Sequence, residues 1–396
     1  MTLFHYLSQH ERERVFYLFP QPVSRKSERD TLAYSLGATL YMPGTRPNLA
    51  QDLLTQRLKG CTSSVICLED AIGDKEVESA QRNVLQHLHF LSIQLSTRII
   101  REEQLPFIFV RVRSPQQMKY IVEQMKENIH ILTGFVFPKF SIENGKEYLD
   151  VLEDCNACLD IPLYGMPVLE TASIAYKESR IDNLHKIRAI LYDAKSYILN
   201  IRIGATDFSS CFGLRRGAST TIYDIATIRD CISDIMNVFG RAEDNNVISG
   251  PVWEYFPHHQ SILENSLGQN MGEEVCYPHI RKNGRRNFSY SENYLIRETL
   301  LDRENGMIGK TVIHPSHIFP VQALYVVTYE EYIDACHITK QSNGQLGVMR
   351  SQYGNKMNEI KPHLNWAKKI MKRAQVYGVY HEDKNFTHFF TESVLI

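Results

Sequence analysis

Three observations predict an α/β chain folded as a (β/α)8 TIM barrel with a C-terminal helical extension. They are eight short β-rich apolar runs, helically spaced apolar residues between them, and polar residues gathered where the runs end. The runs are ATLYM (38–42), SVICL (64–68), FIFVRV (107–112), GFVFP (134–138), GMPVL (165–169), YILNIRI (197–203), NVIS (246–249) and KTVIH (310–314). Strands that alternate with helices pair in parallel, and eight such units are the number that closes a barrel. Alternation alone leaves an open doubly wound sheet as the alternative.

Among the intervening segments, LAQDLLTQRLKG (49–60) puts Leu49, Leu53, Leu54 and Leu58 on one face and ends at Gly60, a helix stop. Two regions break the repeat. Residues 258–305 read as a long polar, aromatic-spotted insertion between the seventh and eighth strands, longer than an ordinary connection. Residues 321–396 read as the extension, with a helical pattern over 364–378 and the character of a lid or oligomerisation segment, which leaves 1–320 for the barrel.

With 44 basic and 45 acidic residues the formal charge is −1, so no overall field draws the chain to nucleic acid or an anionic membrane. Apolar runs such as FIFV (107–110) fall far short of a bilayer span, and the charged opening MTLFHYLSQHERER lacks the apolar core of a signal peptide. The expectation is a cytoplasmic protein with a small polar ligand. Eight cysteines without regular spacing argue against a disulfide framework. Cys155 and Cys158 form a C-x-x-C pair, but no second ligand pair follows, and they are read as ordinary thiols at a helix end. The pairs His87/His89 and His258/His259 are read as surface or core residues.

In a parallel barrel the catalytic groups collect where strands run into their following loops. Those positions are heavily loaded: Gly44 and Arg46 after the first strand, Glu69 and Asp70 after the second, Arg111 and Arg113 in the third, Lys139 after the fourth, Glu170 and Thr171 after the fifth, Asp207 after the sixth and His314 after the eighth. A few hard oxygen ligands with room for water and substrate describe a magnesium site, and Glu170 and Asp207 are its candidates. Capping of the following helices is the alternative for each taken singly. Four carboxylates at one mouth repel unless a divalent cation and arginines compensate. Alternation puts Arg111 and Arg113 on one face, where an arginine needs a carboxylate such as Glu69 or Asp70, or a substrate anion. Gly44 and Arg46 offer amides and a guanidinium to a phosphate or carboxylate.

The blocks LYMPGTRPNLAQDLL, VICLEDAIGD, FVRVRSP, GFVFPK, PVLETAS, IGATDFS, SGPVWEYF and GKTVIHPSHI stand in the order and spacing of a known family. Over residues 38–365 the chain resembles the citrate lyase β-subunit/malyl-CoA lyase (HpcH/HpaI aldolase) superfamily. It looks most like the divergent branch found in bacterial stress-response and tellurium-resistance clusters. The resemblance implies a C–C bond lyase that cleaves, or forms, a small 3-hydroxy acid or its CoA thioester through an enolate, as a homotrimer or hexamer. It also implies Mg2+, with Mn2+ as a substitute, on Glu170 and Asp207, and the substrate's carboxylate and keto or hydroxyl oxygen on Arg111. Glu69 and Asp70 would orient metal-bound waters. The MPGTRP loop would face the substrate or its CoA, with Thr171 also substrate-facing.

Two departures modify that expectation. Where the family reads R-V-N, this chain has Arg111-Val112-Arg113, and the added charge suggests a more anionic hydroxy- or keto-acid. Where the family's lid carries an acid/base aspartate, the segment 347–367 has Tyr353, a poorer general base near neutrality, which argues against CoA-thioester cleavage. The competing functional reading is a catalytically altered barrel serving as a ligand-binding or scaffold subunit. A third is phosphoenolpyruvate-type chemistry.

Overall fold

The computed structural model describes residues 1–54, 58, 60–256 and 290–390. Eight parallel strands are each followed by a helix. The barrel strands are β1 (Ala38–Pro43), β2 (Ser63–Cys67), β3 (Phe107–Arg111), β4 (Gly134–Phe137), β5 (Tyr164–Leu169), β6 (Ile201–Ile203), β7 (Ile248–Ser249) and β8 (Lys310–Val312). The helices behind them are α1 (Leu49–Leu54), α2 (Val77–Ser96), α3 (Pro115–Met125), α4 (Ile142–Asn156), α5 (Lys177–Asp193), α6 (Ala226–Phe239), α7 (Tyr290–Glu304) and α8 (Ile318–Tyr325).

Sequential strands are neighbours from β1 to β7, and β8 pairs with β1 in the register Ala38↔Lys310. The last seam closes through a parallel bridge between Gly250 and Lys310, with Ile308 N donating to Ile248 O (2.8 Å) and Thr311 N to Gly250 O (3.0 Å). The sheet therefore has no free edge, which rules out the open doubly wound alternative.

Each helix has a local cause. Ser114 caps α3 by accepting from Gln117 N at 3.2 Å, and Pro115 occupies the first turn, where its missing N–H costs nothing. In α2, Ala80, Val84, Leu88 and Leu91 recur at helical spacing and are fully buried. Burying side chains of this size stabilises by roughly 1.5–3 kcal/mol each for the larger ones. Gly60 adopts φ +81°, the left-handed conformation expected of a stop after the 49–60 segment. The run 197–203 divides into a 3-10 turn at Lys195–Tyr197 and the shorter strand β6.

Of the segment read as an insertion, residues 258–289 lie outside the described residues, while Tyr290–Glu304 is α7, the crossover helix the barrel requires there. Helix α8 straddles position 320. After it come α9 (Tyr329–Lys340), an antiparallel hairpin of Val348–Arg350 with Met357–Glu359, and α10 (Ile360–Tyr377). Helices α9 and α10 share a small apolar cluster that includes Ala335, Ile338, Ala367 and Ile370. The strand Phe16–Leu18 pairs antiparallel with Val379–Tyr380, tying the two ends of the described chain together. Among the described residues no helix is long and apolar enough to cross a membrane.

Candidate active site

The strand ends bring Glu69, Asp70, Arg111, Lys139, Glu170 and Asp207 to one mouth. Arg111 ends β3 facing the barrel axis, and its Nη2 lies 2.7 Å from Glu69 Oε2, 3.0 Å from Glu170 Oε1 and 3.1 Å from Asp70 Oδ2. The ion-pair reading of this arginine thus extends to three carboxylates. Their charges outweigh the effect of burial and raise the guanidinium's proton affinity, so Arg111 is a permanent cation. Its Nε is buried and has no hydrogen-bond partner.

Lys139, one of the strand-end residues but with no role assigned from the sequence, lies two positions past the end of β4. Its left-handed backbone, φ +47°, turns the chain so that its amide donates to Glu170 Oε1 at 2.9 Å. Its ammonium pairs with Glu69, lies 3.2 Å from Asp70 Oδ1 and comes within 3.8 Å of Asp207 Oδ1. Burial opposes the charged form, but the hydrogen bond to Glu69 and the surrounding carboxylates push its pKa up to about 12.

Glu170 is 4% exposed. Burial pushes its carboxyl up to about 7 despite Arg111, and Asp207 adds to the upward push. Its Oε1 takes the hydrogen bonds from Arg111 and Lys139, while its Oε2 takes none among the described residues. Gly204, just past the end of β6, explains the close fit: a Cβ there would stand 2.1 Å from Glu170 Oε2. Asp207, in the first turn of the short helix Ala205–Cys211, keeps both oxygens free of hydrogen bonds among the described residues. Burial pushes the Glu69 carboxyl up. Burial also works to raise Asp70, but its hydrogen bond with Glu69, Arg111 and Lys139 together hold it down.

Four carboxyl groups face two cations here, so the mouth carries more acid groups than its cations offset, and burial answers part of that excess by raising the proton affinity of Glu170 and Glu69. Glu170 and Asp207, each with an oxygen free of hydrogen bonds among the described residues, are the pair that could hold a hard divalent ion, with its remaining positions left for water and substrate. Among the described residues no group of three or more His, Cys, Asp or Glu side chains is arranged to hold a metal by itself.

Other sequence candidates sit elsewhere. Arg113 lies beyond the end of β3 and does not share the face of Arg111: its Nη2 pairs with exposed Asp74 at 2.5 Å and its amide donates to Gln117. Arg46 is engaged through Nε by the carboxylate of Asp52 on α1, and the Gly44 amide donates to Cys67 O at 2.8 Å, so that amide is not free for an anion. The loop they occupy is pinned to α2 by Asn83, whose Nδ2 donates to the carbonyls of Gly44 and Arg46. Thr171 lies beside the mouth, its hydroxyl 2.9 Å from that of Ser173. Tyr353 sits in the hairpin of the extension and donates to Glu382 at 2.7 Å. Partial desolvation and that carboxylate push its pKa up to about 12, and none of its contacts reaches the mouth.

Against solved structures the chain resembles the CitE protein of Mycobacterium tuberculosis in complex with magnesium, acetoacetate and coenzyme A, at 17% identity and TM-score 0.51, covering 89% of this chain and 99% of that one. A citrate lyase of Burkholderia xenovorans LB400 matches at 15% identity and TM-score 0.57, covering 90% and 96%. The malate synthase of Haloferax volcanii matches at 10% identity and TM-score 0.50, covering 76% and 75%. These likenesses concern the fold. No curated protein matches the sequence. Residues 30–379 match the family model described as C-C bond lyase of the TIM-barrel fold.

Proposed function

The chain belongs to the C–C bond lyases of the TIM-barrel fold, and from that premise we propose that it cleaves, or in reverse forms, the bond beside the hydroxyl of a small 3-hydroxy acid. The observation that carries this is the excess of carboxyl groups over cations at the mouth, with Glu170 and Asp207 each presenting an oxygen free of hydrogen bonds among the described residues. These two residues would hold Mg2+, with Mn2+ as a substitute. When bound, the ion supplies Lewis-acid stabilisation of the substrate oxygen on which charge develops.

The chain's own groups have distinct tasks. Arg111, fixed by three carboxylates, presents its remaining donors to the substrate carboxylate with little reorganisation. Lys139, kept protonated, holds Glu69 and Asp70 in place and balances their charge as substrate enters. Glu69 and Asp70 orient waters at the mouth. Breaking the C–C bond sends its electron pair to the departing carbon, while the hydroxyl proton passes to a water that Glu69 and Asp70 orient at the mouth. Tyr353, occupied by Glu382, is not positioned within this chain to take it. A small hydroxy- or keto-acid without CoA is the substrate class we favour, because the Gly44 amide proposed for the CoA side is already engaged and Tyr353, in place of the lid aspartate, is held by Glu382. Assembly as a trimer or hexamer is part of the same proposal.

The test is a metabolite screen with Mg2+, followed by mass spectrometry for pyruvate, oxaloacetate or glyoxylate release, alongside Mn2+ binding to Glu170→Ala and Asp207→Ala. Unchanged metal binding in both variants removes the site assignment. A non-catalytic ligand-binding or scaffold role is the second reading, favoured by the distance of Tyr353 from the mouth contacts. Turnover of any 3-hydroxy acid excludes it.

A further inference from the structure

Six cations are deeply buried among the described residues, and five of them have a carboxylate partner: Arg111, Arg180, Arg216, Lys310 and Arg373. Arg202 is the exception. It lies in β6, 1% exposed, with no carboxylate beside it among the described residues. Its Nη2 donates to Thr311 Oγ1 at 2.8 Å. Its Nη1 reaches only neutral acceptors at long range, Thr39 Oγ1 and Asn200 Oδ1 at 3.4 Å and Met166 Sδ at 3.9 Å, and its Nε has no partner.

Thr39 and Thr311 belong to β1 and β8, whereas the neighbours of β6 are β5 and β7, so the guanidinium reaches across the barrel interior. Arg202 is paired with Val168, which places it one inward-facing layer below Glu170. Tyr41, whose ring centroid lies 5.5 Å from the guanidinium carbon, is a further neutral hydrogen-bond partner of Arg202 and is within electrostatic reach of Arg111 and Glu170. Tyr41 and Thr311, two hydroxyl-bearing residues in contact with Arg202, are only half-buried and so lie on the side of the guanidinium nearest solvent. A guanidinium buried with spare donors and no counter-charge is unfavourable unless an anion joins it during the working cycle.

We propose that Arg202 receives a second anionic group of the substrate, a carboxylate or a phosphate, which enters the barrel between Tyr41 and Thr311 while Arg111 holds the first. The inference rests on the mouth being the acid-binding site. It makes the substrate at least a dianion and Arg202 the residue that selects it.

A matched set of probes tests this with the full chain and Mg2+: pyruvate, oxaloacetate and 3-phosphonopyruvate, which share one skeleton and differ in the group at carbon 3. Calorimetric titration of the unmodified protein is expected to show about 10- to 100-fold tighter binding of one or both dianions than of pyruvate. The dianion bound more tightly identifies the group as carboxylate or phosphate. Arg202→Met is expected to abolish that preference while leaving pyruvate affinity unchanged. Arg202→Lys keeps a cation without the planar fork and is expected to lose part of it; if the methionine variant does not fold, the lysine variant decides. Pyruvate binding with no preference for a dianion, or an undiminished preference in the folded variants, overturns this inference alone. Failure of all three probes to bind the unmodified protein overturns the proposed function and this inference with it.

Discussion

Replacing Gly204 with alanine isolates the packing that holds Glu170 in place. Gly204 has φ −94° and ψ 72°, so the substitution asks for no left-handed backbone and its effect is one of space. The added Cβ would stand 2.1 Å from Glu170 Oε2 and 2.4 Å from Glu170 Cβ, well inside van der Waals contact. Glu170 cannot simply step aside, because it is buried and held by Arg111 Nη2 at 3.0 Å and the Lys139 amide at 2.9 Å. Overpacking of this kind costs about 1–3 kcal/mol, and displacing the carboxylate from either charge-assisted bond costs about 1.5–3 kcal/mol more. We expect Gly204→Ala to unfold at lower denaturant concentration by the smaller of these amounts at least, and to bind Mn2+ more weakly by about tenfold or more. Adding Glu170→Ala should restore part of the lost stability, since it removes the carboxylate but leaves the two Cβ atoms close. Chemical denaturation and Mn2+ titration of the two single variants and the double variant read both quantities. Gly204→Ala with the midpoint and Mn2+ affinity of the parent would refute the reasoning.

Three other outcomes follow from the geometry. Arg111→Lys loses the fork that meets three carboxylates at once, and kcat/KM on whatever hydroxy acid is turned over should fall by about 100-fold or more, with an effect under threefold arguing against its role. Lys310→Met strips the ammonium from Glu298 and Asp302, which are fully buried with it, and should destabilise the fold by about 3–5 kcal/mol in a denaturant titration; a neutral result would mean that Arg216 and Tyr223 suffice. Burial holds the His317 imidazole down, with a pKa of about 4, so the unfolded chain binds its proton first as the solution is acidified. Its contribution is therefore fully present above pH 6.5 and is lost as pH falls through about 4, amounting to at most about 3 kcal/mol, and His317→Gln should flatten the stability profile in that window.

The barrel was legible because its strands are buried on both faces and read as apolar runs separated by turns, and the cluster was legible because polar residues end those runs. Helix α7 escaped for the opposite reason. Its inner face carries Glu298, Thr299 and Asp302, all fully buried, so the apolar stripe that betrays a helix is missing and the segment merged with the polar stretch before it. Arg113 was misplaced because two-residue alternation holds only while the chain remains a strand, and β3 ends at Arg111. Arg202 and Tyr41 went unnoticed since a short run such as IRI does not say which side faces the axis. Lys139 was visible at a strand end, but its turn toward four carboxylates depends on a left-handed residue that only coordinates reveal.

The pairing of Phe16–Leu18 with Val379–Tyr380 has a bearing on how the molecule is made. As the chain leaves the ribosome, every barrel strand emerges before the partner of that early segment exists. Phe4 and Phe16 pack on Phe389, and Phe16 stacks on Tyr380, so the aromatic surface of the leading segment stays uncovered until synthesis is nearly done. The late segment thus acts as a clasp, and nascent chains halted before residue 379 should expose that surface to chaperones even with the whole barrel sequence in hand.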